Sequence, residues 1–175
     1  MSHSLKTDAF VLRKRELLQK DILISLFTKE LGKVTVIAKG IKSMTSRRGP
    51  HLQTGNLIKV IMNVKNDYKY LQQTELISGF SGVKDNEKKT EYLYLFFFII
   101  DRLLPEGQQE NDIFRLTRAF LSELSRSEQF GPEEISKYLN MMLRMLGYAH
   151  EEKRLIDLIL LIEETIHEKI PFHII

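Results

Sequence analysis

The chain has 175 residues, 43% apolar and 28% charged, which suits one ordinary domain or two small ones and argues against global disorder. It has no cysteine, so a disulfide framework, a thiolate metal site and a cysteine nucleophile are all excluded. The net charge of +3 hides a split: residues 1–80 carry fourteen Lys and Arg against six Asp and Glu, the other 95 twelve against seventeen.

From the N-terminus, Met1 to Lys6 show no signal-peptide hydrophobic run, which together with the missing cysteines leads to an expected cytoplasmic location. Five short segments rich in branched and aromatic residues then read as strands, over 9–15, 22–28, 33–39, 57–65 and 69–78. Lys29-Glu30-Leu31-Gly32 predicts a hairpin loop with glycine at a positive φ, and Asn66-Asp67 predicts another turn, since both residues tolerate left-handed backbone. Alternation puts Val34, Val36 and Ala38 on one face of the third strand and Lys33, Thr35, Ile37 and Lys39 on the other. In the fourth, Ile58, Val60, Met62 and Val64 oppose Lys59, Asn63 and Lys65. One wet face per strand suits a small antiparallel barrel. Five strands in this length match an OB-fold, although an SH3-like barrel fits the count equally well.

After about Asn86 the period becomes helical. Residues 87–104 form one predicted helix, ended by Pro105-Glu106-Gly107, and its nine-residue apolar run at 92–100 is far short of the roughly 20 residues that span a bilayer. Asn111-Asp112 caps a second, whose Ile113, Phe114, Thr117, Phe120, Leu121 and Leu124 share a face. Gly131-Pro132-Glu133-Glu134 starts a third, which ends at Gly147. A fourth is predicted from about Glu151 to Lys169, stopped by Pro171. The expected fold is therefore α+β: a five-stranded OB-fold β-barrel over 1–80, then an all-α helical bundle over 81–175, with the boundary at 78–82.

No enzyme motif stands out. The five histidines have no i, i+4 pair, and neither a G-x-S-x-G nor a phosphate-binding glycine loop is present. No catalytic residue, cofactor or metal is expected. What does carry physical content is positive charge beside aromatic rings. Lys33, Lys39, Lys42, Arg47 and Arg48 stand between Gly32 and Gly49 with no acid among them, and Tyr68 and Tyr70 share a strand face flanked by Lys65 and Lys69. Cations that track phosphates and rings that stack on bases are how single-stranded nucleic acid is held. With Arg13 on the first strand, these ten residues form the candidate DNA-binding set. Arg47 and Arg48 are expected in an exposed loop, replaceable without harm to the barrel.

The same residues resemble a family. Ala9-Phe10-Val11-Leu12-Arg13, the stretch from Asp21 through Lys33, Ala38-Lys39-Gly40-Ile41-Lys42, Arg47-Arg48, Leu52-Gln53 and 71–76 look like the N-terminal OB domain of the bacterial repair and recombination mediator RecO. Leu143-Arg144-Met145-Leu146-Gly147-Tyr148-Ala149 extends the match into the helical half. The resemblance implies binding of single- and double-stranded DNA and annealing of complementary strands. It also implies cooperation with RecR, contact with single-stranded DNA-binding protein through its tail, and help in loading RecA. It implies no enzyme activity. Two departures bear on it. Glu151-Glu152-Lys153-Arg154 run into a predicted helix where many relatives place a cysteine zinc cluster, and the chain ends before the usual last helices. The second bears on the binding-protein tail site and the RecR surface. A protein-binding adaptor using the acidic half and an OB-type RNA binder are the alternative readings.

Overall fold

A computed structural model describes residues 3–17, 21–40 and 48–171. Its two compact units are Met1–Gly79 with Leu104–Asn111, and Phe80–Leu103 with Asp112–Ile175.

The first unit is built from β1 (His3–Glu16), β2 (Ile22–Thr28), β3 (Gly32–Ala38), β4 (Leu57–Lys65) and β5 (Tyr68–Ser78). They close into a barrel in the order β1-β2-β3-β5-β4, the OB-fold order, which decides against the SH3-like alternative. Closure needs one long strand. The 14 residues of β1 pair with β4 through His3 to Phe10 and with β2 through Ala9 to Glu16, and the register slips between Val11 and Arg13. Such a bulge bends a strand so that it can serve both sides of a barrel. Inside lie Ala9, Val11, Ile24, Leu26, Val36, Ile58, Val60 and Met62, and Leu52 from the 3-10 turn Gly49–Leu52 joins them. Strict alternation along β3, buried at Gly32, Val34, Val36 and Ala38, matches the face expected from the residues alone.

Both expected turns form. Asn66 and Asp67 take φ of 48° and 63°, the two-residue hairpin whose twist matches its strands. Gly32 takes φ of 67°, and a second reason for glycine emerges there: a Cβ would sit 1.8 Å from the carbonyl oxygen of Gln108. Residues 104–111 strap the open edge of β3. Glu106 bridges Lys33 in parallel, the Gly107 N–H donates to the Lys33 carbonyl at 2.9 Å, and the Thr35 hydroxyl donates to Glu106 Oε1 at 2.5 Å. Covering an edge satisfies backbone groups that would otherwise invite another chain.

The second unit contains α1 (Ser81–Lys84), α2 (Glu87–Leu103), α3 (Asn111–Arg126), α4 (Pro132–Met145) and α5 (Leu155–Ile166). Its core is aromatic: the Phe96 and Phe120 rings stack with centroids 4.0 Å apart, and Phe120 meets Tyr138 edge-on at 5.4 Å. The Tyr138 hydroxyl donates to Glu123 Oε2 at 2.5 Å, and burial, reinforced by that carboxylate, pushes its pKa upward. At the start of α4 the Gly131 N–H donates to Glu134 Oε2 at 2.8 Å, so the glutamate expected near the dipole also caps.

The last helix differs from its expected span. It begins at Leu155 rather than Glu151 because Asn140, 8% exposed, pairs with the Lys153 backbone, donating to its carbonyl at 2.8 Å and accepting from its N–H at 2.9 Å. That pairing holds the preceding residues out of the helix. At the other end His167 turns left-handed with φ of 55°, and Glu163 accepts from the Lys169 ammonium at 2.5 Å and the Ile170 N–H at 2.9 Å. These bonds end the helix at Ile166, short of Lys169, and hold the Glu163 carboxyl below its ordinary range. The one-turn α1 has no periodic signal in four residues; the left-handed Phe80 launches it.

Candidate nucleic-acid interface

Where β3 runs out beside β5, the barrel exterior forms a groove. The two strands share only the pairs Val36–Lys69 and Ile37–Tyr70, in parallel. The Asn66-Asp67 hairpin sets the opposite wall by placing Lys65 across from Tyr68 and Asn63 across from Tyr70. Side chains directly opposed in an antiparallel pair share a face, so these four project together. The resulting cavity, about 610 Å³, is lined by Lys39, Arg48, Asn63, Lys65, Asn66, Tyr68, Tyr70, Leu71 and Gln72. That volume lies within the range of small-ligand sites and can take a base with its sugar.

Its two rings differ. Tyr68 is 61% exposed and open to stacking, whereas the Lys39 ammonium lies 5.1 Å from the Tyr70 ring centroid in a cation–π contact. Arg48 reaches across the junction of β3 and β5. Its Nη2 donates to the Lys39 carbonyl at 2.8 Å and its Nη1 to the Leu71 carbonyl at 3.1 Å. A guanidinium has five N–H donors, so Arg48 can tie the groove walls together and still offer donors to a ligand. Arg48, expected in an exposed loop and replaceable without harm to the barrel, thus holds two backbone carbonyls, one just past β3 and one on β5.

Of the ten expected residues, the structure brings together Lys39, Arg48, Lys65, Tyr68 and Tyr70. Lys69 sits on β5 but pairs with Val36 and Val64, which puts it on the other face. Lys33 stands six residues before Lys39, about 20 Å along the strand, and bridges Glu106. Arg13 is exposed, level with Ser25 on β2 and through it with Thr35 on β3, two strands away from the groove. Lys42 and Arg47 lie outside the described residues.

Sequence reasoning missed Asn63, Asn66, Leu71 and Gln72. A signal existed for Asn63: once Asn66-Asp67 is a two-residue hairpin, the register sets residue 63 against residue 70. Amides there matter chemically, since each can both donate to and accept from a base edge. Among the described residues, Lys39, Arg48 and Lys65 form no ion pair with a carboxylate. Elsewhere on the barrel exterior, by contrast, Asp8, Lys59 and Glu75 stand side by side across β1, β4 and β5, so opposite charges alternate. No cluster of three or more His, Asp or Glu side chains among the described residues is placed to hold a metal ion. The arrangement can neutralise phosphates at its rim, stack one base on Tyr68 and hydrogen-bond base edges.

Residues 1–80 match the family model described as recombination protein O N terminal. The DNA repair protein RecO of Geobacter metallireducens is 28% identical over 145 residues, covering 83% of this chain and 59% of that protein. RecO of Caldanaerobacter subterraneus subsp. tengcongensis is 26% identical over 144 residues (82% and 58%), and that of Listeria monocytogenes serotype 4b 27% over 143 (81% and 55%). The chain therefore spans less than two thirds of the length of these relatives. With a barrel in OB order, the N-terminal match and a likeness that continues into the helices, the chain is similar to the RecO proteins over most of its length.

Proposed function

We propose that the chain is a DNA-binding mediator of repair and recombination, holding DNA in the barrel groove. The observation that carries this reading is the convergence of Lys39, Arg48 and Lys65 around Tyr68 and Tyr70 on a barrel matching the RecO N-terminal model. Phosphates of a strand lie along the cations while an unpaired base stacks on the exposed Tyr68 ring. Lowering the repulsion between two phosphate backbones then lets complementary strands anneal. In this reading the protein works by binding rather than by catalysis, in the cytoplasm, on single- and double-stranded DNA. RecR and single-stranded DNA-binding protein are its partners, and RecA, loaded onto coated strands, benefits indirectly. For the binding-protein tail the helical unit offers α4, where Lys137, Met141 and Met145 form an exposed stripe at helical spacing, with the exposed Tyr148 just beyond the helix end.

A salt titration with a fluorescent single-stranded oligonucleotide tests the central claim. Three groove cations, each on one phosphate, make log K fall against log salt with a slope of about −2, steeper with Lys42 and Arg47 engaged. A flat response, or an RNA oligonucleotide of the same sequence outcompeting the DNA, overturns it. Strand annealing of coated and naked DNA across the same salt range then examines the mediator role.

A further inference from the structure

A second concentration of positive charge lies in the half of the chain whose net charge is negative. Helix α3 buries Ile113, Phe114, Leu116, Phe120, Leu121 and Leu124, so its other side must be polar. Polarity alone does not require one sign, and mixed Glu and Lys pairs are the ordinary solution on a solvent face. Here the positions that share the outer face at 3.6-residue spacing are Asn111, Arg115, Arg118, Ala119, Ser122 and Arg126. All three arginines are exposed. Of the nearby acids, Asp112 pairs with Arg115 and so offsets that one charge of the stripe, while Glu123 takes the Tyr138 hydroxyl, which leaves Arg118 and Arg126 to carry the face. Among the described residues, Arg118 and Arg126 form no ion pair. From Arg115 to Arg126 the stripe is about 16 Å long, and the small Ala119 and Ser122 leave its middle low.

We propose that the outer face of α3 is a second polyanion site, taking the sugar-phosphate backbone of a nucleic-acid strand independently of the barrel groove. Guanidinium groups grip phosphate oxygens two at a time, and no aromatic ring stands on this face to ask for an unpaired base. It therefore reads backbone without regard to sequence or pairing, whereas the groove with Tyr68 selects an unstacked strand. One chain then holds two strands at once, as annealing requires. This inference rests on the reading of the chain as a DNA binder, and the test separates the two.

The full chain, the double variant Arg118→Gln with Arg126→Gln, and the groove variant Lys65→Gln are titrated with a labelled single strand and a labelled duplex, then assayed for annealing. The α3 variant should keep the wild-type melting temperature and hold a single strand within about threefold of wild type. Its duplex salt slope should be shallower by roughly 1.5–2, and annealing should be slower by about tenfold. Arg118→Lys with Arg126→Lys should restore most of the loss. If the α3 variant binds duplex and anneals as wild type does while Lys65→Gln weakens single-strand binding, the groove stands and the α3 site falls. If the wild-type chain binds neither oligonucleotide, both readings fall together.

Discussion

A lysine stands at the start of β3 and another one residue past its end, and their surroundings differ. At the far end Lys39 lies over Tyr70, beside Lys65 and Arg48, in a groove whose cations have no carboxylate partner among the described residues. At the near end Lys33 bridges Glu106 in the strap that seals the strand edge. Two lysines of equal charge thus stand in different settings, one lining the groove and the other on a stretch whose backbone is sealed by the strap. Separation decides as well. About 20 Å lies between them, twice the Debye length of about 10 Å at moderate salt, so Lys33 contributes little to the field in the groove.

Charge reversal should break this comparison most visibly. Lys39→Glu with Lys65→Glu is expected to weaken single-strand binding by roughly 10–100-fold, while Lys33→Glu changes it by less than about twofold; equal losses in fluorescence titrations would show that the ends do not differ. Stability should invert the order. Gly32→Ala forces a left-handed backbone onto alanine and drives its Cβ into the Gln108 carbonyl, so denaturant melts should show a loss of about 2–4 kcal/mol. Tyr68→Ala removes one stacking platform and should cost about 1–3 kcal/mol of single-strand affinity, with barrel stability unchanged. Arg48→Gln sharpens the comparison from the groove side. It should cost about 1–2 kcal/mol in the denaturant midpoint through the lost ties to Lys39 and Leu71, and also reduce affinity. If its affinity falls with stability intact, Arg48 is a phosphate contact alone. Glu163 offers the smallest effect. Its carboxyl is depressed by Lys169, so its contribution is present above the ordinary carboxylate range and fades as pH falls through the lowered value. Glu163→Gln should slightly flatten the acid limb of stability, measured by denaturant melts on either side of that range.

How much could be read in advance varied with the length scale of the interaction. The alternating strands of the barrel and the turns at Gly32 and Asn66-Asp67 are local, and each was legible from residue type. Tyr68 and Tyr70 were also legible as a pair, since spacing of two in a strand keeps one face. Adjacency in sequence places Lys69 with them, yet the pleat turns it away. The early Leu155 start of the last helix depends on Asn140 from another element, a partner that no window around the helix start contains.

What the order of residues determined by itself is periodicity and charge: a β half with a balance of +8, a helical half of −5, and turns where only a few residue types fit. Tertiary structure alone decided which cations meet. Five of the ten candidate residues converge because a two-residue hairpin and a parallel β3–β5 junction bring β3, β4 and β5 to one groove. The physical reason is range. Backbone preference and side-chain alternation act within a few residues, whereas the field and the stacking surface that a nucleic acid meets are made by strands brought together across the fold.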